Sequence, residues 1–376
     1  MTQFDLSRRT LIGGALATAG AAHVPGTFAA TAHPPLRRPA KPIVIGHRGA
    51  PALRPEHTLA SYAKAIADGA DFIEPDLVAT KDGVLIARHE NNIADTTDVS
   101  TRPRFAERKT TRTIDGETIT GWFTEDFTLA EIKSLRAKER LGALRPESQS
   151  YDGQFQIVTL EEIADFTAAE AAARGRMIGL IPEIKHSTYF AGISLPLEQR
   201  LLDRIAASSY LQSAPLIVQS FEVSNLKWLR ERLAGQNNVQ LMQLTVPAPV
   251  RPADLAAKGF GPTYNDMQTP RGLAEMAAYA DWISPYNLAL LPRDKDGDLS
   301  DTPTALMVNA HAAGLLVASW TFRPENHFLP ANLRDGEGDA ARNPQGSVAE
   351  IRAYLAAGLD AFFTDDPAIG RKAVDG

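Results

Sequence analysis

The 376-residue sequence has no cysteine, no block of lysine and arginine, and no apolar run of membrane-spanning length. Without cysteine the chain can hold no disulfide, no thiolate zinc site and no cysteine nucleophile. The lack of a basic block argues against a nucleic acid partner. Because the formal net charge is -6, an anionic substrate would need positive charge concentrated locally, by a metal ion or by placed basic residues.

The first 32 residues predict an export signal rather than part of the fold. Residues 7–10 spell SRRT, a twin-arginine pattern, and an apolar run at 11–22 and the sequence ATA at 30–32 complete a cleavable signal peptide. A membrane anchor is the alternative, but the run is shorter than the ~18 residues that a span needs. We predict twin-arginine export to the periplasm or the medium, no stable membrane insertion, and a linker at 33–41.

The rest of the chain, about residues 42–370, alternates short apolar runs with alanine-rich helical stretches such as 58–68, 160–173 and 224–233. The apolar runs are Ile43–Ile45, Phe72–Ile73, Val84–Ile86, Met177–Ile184, Pro215–Val218, Val239–Leu244, Trp282–Ile283, Leu315–Ser319 and Ala361–Phe363. Continuous apolar strands between helices indicate a parallel sheet that is covered on both faces. About eight such units predict an α/β fold of the TIM (β/α)8 barrel type, with a doubly wound sheet as the alternative.

Two polar segments interrupt this alternation. Residues 91–156 are charged and rich in threonine, and residues 323–345 are rich in asparagine, glycine and aspartate. Both are too long for ordinary barrel connections. We therefore predict one barrel domain with an inserted loop or small subdomain after the second strand region, and a second insertion near the C-terminus.

Ionisable residues follow four of the apolar runs, at the end of the strand where barrel enzymes hold their catalytic groups. These residues are His47 and Arg48, Glu74 and Asp76, His89, and Glu183 and Lys185. Glu74 and Asp76 stand two positions apart, so on a strand they face the same side, and Glu183 and Lys185 repeat this spacing. A single such strand could carry a structural polar group, but four in one chain indicate a site.

The three carboxylates Glu74, Asp76 and Glu183 predict a metal site if they converge. Two unit charges 4 Å apart repel by roughly 4 kcal/mol at an effective dielectric constant of 20. Such a cluster either takes up protons or holds a cation. Oxygen ligands without sulfur favour Ca²⁺ or Mg²⁺. The alternative is three separate surface carboxylates at loop starts.

His47 and His89 are the candidate proton-transfer pair. Imidazole titrates near neutral pH, and displacement at phosphorus needs one proton taken and one given. Either histidine alone could instead be a core or loop residue that bonds the backbone. Arg48 offers a planar fork that suits a phosphate, and Lys185 offers a point charge.

The order of short motifs resembles the glycerophosphodiester phosphodiesterases from about Ile43 to Pro367, and the long segment after His89 resembles the insertion of the bacterial periplasmic branch. The motifs are HRGA (47–50), RPEHTLAS (54–61), EPDL (74–77), TKDG (80–83), EIK (183–185), QSF (219–221), WT (320–321) and TDDP (364–367). His57 departs from the family, which usually has asparagine there. We expect that position to serve a turn and helix start, and histidine to be tolerated.

The resemblance implies a metal-dependent hydrolase that converts glycerophosphodiesters to sn-glycerol 3-phosphate and an alcohol. Export and the periplasmic branch favour Ca²⁺ over Mg²⁺ as the ion. The implied roles are metal binding by Glu74, Asp76 and Glu183, acid–base catalysis by His47 and His89, phosphate binding by Arg48 and Lys185, support of the metal or a substrate hydroxyl by Glu56, and walls of the glycerol pocket by Phe221 and Trp320. For both aromatic residues, plain barrel core is the alternative.

Two other functions are compatible with these residues. One is a phospholipase D-like enzyme that acts on lysophospholipids or sphingolipids, and the other is an exported phosphodiester-binding protein without catalysis. The acidic stretch at 294–298 suggests a calcium loop, but glycine occupies its fourth position instead of the sixth, and Ala305 stands where a ligand is required. We interpret that stretch as a solvated loop.

Overall fold

A computed structural model describes residues 37–376, so the predicted signal peptide and the first part of the linker lie outside the described residues. Residues 37–41 form no helix or strand, but Arg38 and Lys41 form ion pairs with Asp360 and Asp375 at 2.5 and 2.9 Å. This last part of the predicted linker is therefore tied to the barrel. Over residues 37–376, no helix has the length and apolar character that crossing a bilayer requires.

The described chain alternates strands and helices, with the largest departure between residues 88 and 158. The strands are β1 (Ile43–Gly46), β2 (Phe72–Ile73), β3 (Asp76–Ala79), β4 (Leu85–Ala87), β5 (Thr110–Ile114), β6 (Glu117–Gly121), β7 (Gly179–Leu180), β8 (Glu183–Ile184), β9 (Leu216–Ser220), β10 (Val239–Thr245), β11 (Trp282–Pro285), β12 (Leu316–Phe322) and β13 (Ala361–Thr364). The α-helices are α1 (Leu59–Ala67), α2 (Leu129–Lys133), α3 (Pro146–Gln149), α4 (Leu160–Arg174), α5 (Ser187–Gly192), α6 (Leu197–Ala207), α7 (Ser224–Arg232), α8 (Ala253–Lys258), α9 (Tyr264–Met267), α10 (Pro270–Met276), α11 (Leu306–Ala312), α12 (Pro344–Ala357) and α13 (Pro367–Asp375).

The strands close into a parallel barrel. β2 continues as β3 and β7 continues as β8, so the barrel strands are β1, β2–β3, β7–β8, β9, β10, β11, β12 and β13 in that order. The ring closes where β13 pairs with β1, and β9 pairs with β10 on the opposite side. Every one of these pairings is parallel, which confirms the predicted TIM barrel against the doubly wound sheet.

The apolar run Val84–Ile86 is not a barrel strand, and that part of the prediction was wrong. Its residues lie in β4, which pairs antiparallel with β3 in the register Leu77 to Ala87. The short turn between the two strands cannot make a parallel crossover, which needs a dozen or more residues. The hairpin instead returns the chain to the level of Asp76, whose carbonyl accepts from the Arg88 amide at 2.8 Å.

Successive side chains of each strand point alternately into and out of the barrel, and this alternation produces two separate apolar cores. The inward-facing side chains fill the barrel, and the outward-facing ones pack against the surrounding helices. The interior residues are Ile45, Phe72, Ile181, Ile217, Met242, Leu244, Trp282, Leu316, Ala318, Ala361 and Phe363. Two positions further along several of these strands the inward residues become polar, which places the ionisable groups above an apolar floor.

The predicted helices form where local capping favours them. Thr58 precedes α1 and accepts from the Ser61 amide, and Thr159 and Glu162 form a reciprocal capping box before α4. Gly175 then ends α4 in the left-handed conformation. These caps fix the start of each helix within two residues of the position that the sequence predicts.

The first polar segment packs on the site end of the barrel. It carries the antiparallel β5–β6 hairpin, α2, α3 and several 3-10 turns, with Phe105, Trp122 and Phe127 buried beneath them. Arg140 and Arg145 of this segment contact residues that follow β1 and β13. The second polar segment is largely irregular until α12 begins at Pro344.

Candidate active site

Three buried carboxylates meet at the carboxyl ends of neighbouring strands. Glu74 follows β2, Asp76 opens β3 and Glu183 opens β8, and Asp76 and Glu183 are partners in the parallel register. One oxygen of each lies within 4.8 Å of the others, and each residue is at most 5% exposed. The structure therefore brings together the three carboxylates whose convergence the sequence predicts.

The electrostatics of this cluster are unfavourable without a cation. Burial and the nearby Asp76 and Glu183 raise the pKa of Glu74 well above its usual range. Burial likewise raises the pKa of Glu183 to about 7, against the opposing effect of Lys185. Burial alone would raise the pKa of Asp76 too, but His57 and Lys185 hold that pKa well below its usual range. Among the described residues, Asp76 Oδ1 has no hydrogen-bond partner although it is buried.

Gln219 is a fourth member of the cluster that the sequence did not single out. It lies on β9 beside Glu183 in the register, and its Nε2 donates to Glu74 Oε1 at 2.7 Å. It occurs in the QSF motif, but an amide in an apolar strand gives no charge signal. Its side chain fixes one oxygen of Glu74 and so orients the other.

The turn after β1 positions both His47 and Arg48. Arg48 and Gly49 have φ angles of 55° and 100°, and a Cβ on Gly49 would lie 2.3 Å from the hydroxyl of Ser61. This left-handed turn directs the Arg48 amide to Glu74 Oε2 at 3.0 Å. The glycine of the HRG motif is therefore required by the close approach of α1.

The two predicted phosphate-binding cations are paired with carboxylates. Lys185 Nζ lies 2.8 Å from Glu183, while Arg48 lies 3.1 Å from Glu56 and 3.3 Å from Asp76. All these side chains are buried, so removing either partner of a pair would leave an uncompensated buried charge. Glu56 thus contacts Arg48 directly, and in the described part of the chain that guanidinium links it to Asp76 of the acidic cluster.

His47 is held between two carboxylates. Its Nδ1 is 2.5 Å from Asp365 Oδ1, which follows β13, and its Nε2 is 3.9 Å from Glu74. Burial and the neighbouring Arg48 lower the pKa of His47 to about 4. Burial alone would raise the pKa of Asp365, but Arg145 and His47 keep it well below its usual range. Asp365 is therefore ionised and can only accept hydrogen bonds. The proton of neutral His47 therefore resides on Nδ1, and Nε2 is left as a base.

His89 follows β4 and is the more accessible of the two histidines, with a side chain that is 29% exposed. Its Nδ1 bonds the neighbouring Glu90. Burial and the nearby Arg48 lower the pKa of His89 to about 3, and Lys185 acts in the same direction. The hairpin rather than a barrel strand brings this imidazole within the field of Arg48 and Lys185.

Two arginines of the first polar segment complete the charge network. Arg140 donates to Glu56 at 2.5 Å and to Glu90 at 2.7 Å. Arg145 is 4% exposed, donates to Glu325 at 2.7 Å, and also bonds Asp365. No spacing in the sequence could have found these pairs, because Arg145 and Asp365 are 220 positions apart.

Aromatic side chains line another part of the site. The Phe221 and Trp320 ring centroids are 5.7 Å apart in an edge-to-face arrangement, and both residues are partly exposed rather than plain core. Tyr286 lies 5.1 Å from Trp320, and Tyr264 lies 6.3 Å from Phe221. The two tyrosines belong to this aromatic cluster and have no motif that would have identified them.

His57 does more than the expected turn. Its φ of 55° is the left-handed conformation that asparagine tolerates well, and it stands immediately before the Thr58 cap. The imidazole is fully buried, with Nδ1 2.9 Å from the Tyr62 hydroxyl and Nε2 3.0 Å from Asp76 Oδ2. Position 57 therefore orients a carboxylate of the acidic cluster in addition to shaping the turn.

A closed parallel barrel whose strand ends carry an acidic cluster and a carboxylate-bound histidine defines a TIM-barrel enzyme. The family model for the glycerophosphoryl diester phosphodiesterase family matches residues 47–369. The chain belongs to this family and is an enzyme of the phosphodiesterase class.

Comparisons with individual proteins agree with that membership. A glycerophosphodiester phosphodiesterase of Arabidopsis thaliana is 31% identical over 302 residues, covering 77% of this chain and 76% of the relative. One from Haemophilus influenzae is 30% identical over 279 residues, covering 69% and 74%. A solved structure from Silicibacter pomeroyi has the same fold, with a TM-score of 0.61, 22% identity, and coverage of 90% of this chain and 95% of that one. An Oleispira antarctica phosphodiesterase solved with sn-glycerol 3-phosphate has a TM-score of 0.52 and 20% identity over 89% and 98%.

Proposed function

We propose that this enzyme hydrolyses glycerophosphodiesters to sn-glycerol 3-phosphate and an alcohol, with a divalent cation bound by Glu74, Asp76 and Glu183. The observation that carries the proposal is the buried triad of carboxylates within 4.8 Å, next to His47. The product bound to the Oleispira antarctica phosphodiesterase supports the choice of substrate class.

The residues present fit a hard divalent ion. The donors are all oxygens, they repel one another when buried, and Asp76 Oδ1 lacks a hydrogen-bond partner among the described residues. Ca²⁺ and Mg²⁺ both prefer such ligands, and a predicted export route favours Ca²⁺. When bound, the ion would polarise the phosphoryl oxygen and help to orient the glycerol hydroxyls.

The side chains divide the proton transfers between them. His47 Nε2 takes the proton of the attacking hydroxyl, which belongs either to water or to the glycerol moiety. Asp365 keeps the His47 ring oriented and stabilises the imidazolium that forms. His89 gives a proton to the leaving oxygen, and the negative charge of a bound phosphodiester raises its low pKa toward that role. Lys185 balances charge at the phosphate.

A lysophospholipid substrate is a second candidate because apolar side chains are exposed at the site end of the barrel. Val250 and Phe260, 50% and 68% exposed, lie in the segment that follows β10. Arg251 bonds the Gly261 carbonyl at 2.8 Å and holds the two parts of this segment together. An acyl chain could lie against such a surface, whereas glycerophosphocholine would not need it.

Removal of divalent ions is expected to abolish turnover, because the site then lacks the positive charge that would bind and polarise the phosphate. The purified enzyme would be dialysed against a chelator and assayed for choline release from glycerophosphocholine and from lysophosphatidylcholine. Added Ca²⁺ should restore activity on the former, with Mg²⁺ as the comparison. Full activity in excess chelator would contradict the metal, and faster release from lysophosphatidylcholine would favour the second candidate.

We also propose that residues 1–32 direct export by the twin-arginine route, supported by the SRRT pattern and the apolar run that follows. Residues 1–36 fused to a reporter that is exported only when folded should carry it out of a bacterial cytoplasm. Replacing Arg8 and Arg9 together by lysine should retain the reporter inside. Export of the lysine variant at the original level would contradict this route.

A further inference from the structure

The cations of the site are not equally engaged. Arg48, Arg140, Arg145 and Lys185 each form an ion pair with at least one buried or partly buried carboxylate through the end of the side chain. In each of these four residues at least one terminal nitrogen therefore already has an anionic partner. Arg323, which follows β12, is held in a different way.

Arg323 is anchored through Nε, the guanidinium nitrogen nearest the backbone. Its Nε donates to Asp365 Oδ2 at 3.2 Å, and its Cζ lies 4.8 Å from the centre of the Phe328 ring. Among residues 37–376, neither Nη atom has a hydrogen-bond acceptor within reach. The side chain is 31% exposed, and its Nε bond and its contact with the Phe328 ring limit how the guanidinium and its fork of two Nη groups can turn.

The position of this fork is set by Asp365. One oxygen of that carboxylate holds His47 and the other holds Arg323, so a single group separates the guanidinium from the proposed base. Burial lowers the pKa of Arg323, and the nearby Arg145 and Arg48 lower it further, whereas Asp365 raises it. Asp365 is also shared, because the same carboxylate bonds His47 and Arg145 as well as Arg323.

We propose that Arg323 is a substrate-binding residue whose Nη groups donate to the phosphate of the glycerophosphodiester. The inference rests on the proposed function and adds a residue that no motif in the sequence indicates. Arg48 and Lys185, the cations expected to hold the phosphate, are paired with Glu56, Asp76 and Glu183, so part of their charge is already compensated before a phosphate binds. Arg323 supplies the two parallel donors that a phosphate accepts best.

The test compares Arg323→Gln with wild type and with Arg334→Gln. Arg334 is an exposed arginine of the same segment whose side chain, within the described residues, bonds the Leu329 carbonyl and no carboxylate. Calorimetry in Ca²⁺ buffer would measure binding of sn-glycerol 3-phosphate, inorganic phosphate and glycerol. We expect Arg323→Gln to weaken both phosphate ligands by roughly ten-fold or more and to leave glycerol unchanged. KM should rise by a similar factor, with a smaller change in kcat.

Arg323→Lys keeps the charge but loses the fork, and an intermediate loss of phosphate affinity is expected even if the glutamine variant folds poorly. Unchanged phosphate affinity in folded variants would overturn the inference, as would a fall in kcat alone, which would make Arg323 a positioning residue for Asp365. The two proposals can fail separately. The proposed function would be contradicted if the wild-type protein binds sn-glycerol 3-phosphate but hydrolyses no glycerophosphodiester. In that case the effect of Arg323→Gln on binding of sn-glycerol 3-phosphate would still decide whether Arg323 binds the phosphate.

Discussion

Replacing His47 by alanine is expected to lower kcat on glycerophosphocholine by about 10²–10⁴-fold while the barrel stays folded. The imidazole is buried and neutral, and Asp365 holds its Nδ1 at 2.5 Å so that Nε2 remains to take a proton. Alanine removes this acceptor and leaves the acidic cluster in place. Steady-state kinetics in saturating Ca²⁺ would measure the loss, beside circular dichroism and thermal unfolding of the same preparations.

His327→Ala is the matched control, because this histidine likewise follows a barrel strand, β12, but is partly exposed, and within residues 37–376 its ring bonds Asp339 outside the acidic cluster. It should keep wild-type kcat. Binding of sn-glycerol 3-phosphate should be retained by the His47 variant, since the proposed metal ligands are untouched. A His47→Ala enzyme with near wild-type kcat would show that this imidazole takes no part in the chemistry.

Asp365→Asn tests whether His47 needs the Asp365 carboxylate in order to act as a base. The amide can accept from Nδ1 but no longer stabilises the imidazolium, so kcat should fall by roughly 10²-fold or more. Ligand affinity should fall as well, because the other oxygen of Asp365 holds Arg323. Loss of this carboxylate also removes the influence that raises the pKa of His47, so the imidazole becomes a weaker base. An unaltered kcat would mean that the contact with Asp365 only stabilises the fold.

The eight-stranded barrel was predictable because buried parallel strands and capped helices leave strong local patterns. The failure at Val84–Ile86 has a physical cause, since a buried hairpin strand and a barrel strand are equally apolar. Only pairing direction separates them, and direction depends on the length of the turn after β3. The same hairpin nevertheless delivers His89 to the site, so the residue was found although its strand was misjudged.

The residues of the site also differ in how far the sequence could predict them. Glu74, Asp76 and Glu183 were predictable because inward-facing positions recur every second residue on a strand. Asp365 lies in the TDDP motif, but its contact with His47 depends on the pairing of β13 with β1 that closes the ring. Arg145 lies in a segment with no periodic pattern, and its partners come from the opposite end of the chain. Contacts made by ring closure and by insertions are set by tertiary structure, which local spacing does not encode.

Replacing Asp76 by asparagine or Glu183 by glutamine is expected to abolish tight Ca²⁺ binding and, with it, activity. Each change removes one of three converging charges, and these charges are the reason that the site favours a cation. Wild-type protein should gain about 2.7 kcal/mol of unfolding free energy at a Ca²⁺ concentration 100 times its Kd. The variants should show little or none of this gain.

In the metal-free proteins the two substitutions should act in opposite directions. Glu183→Gln relieves the repulsion and burial that raise the pKa of Glu183 to about 7, so this variant should unfold at a temperature equal to or higher than that of wild type. Asp76→Asn should unfold at a lower temperature, because the ionised Asp76 carboxylate is stabilised by His57 and Lys185. Calcium titration followed by calorimetry and thermal unfolding would reveal both effects. Glu350→Gln is the matched control, because this carboxylate is 2% exposed but lies in α12 outside the site, and it should leave Ca²⁺ binding intact.

His57→Asn tests whether the acidic cluster depends on its buried support. Asparagine suits the left-handed backbone at position 57, so the turn should survive, but its shorter side chain cannot bridge Tyr62 and Asp76. Loss of such an outer contact typically weakens metal binding by about 10–100-fold. We expect Ca²⁺ affinity to fall within that range, between wild type and Asp76→Asn. Affinity equal to wild type would confine His57 to shaping the turn, and equal Ca²⁺ affinity in Asp76→Asn and wild type would remove the metal from this site.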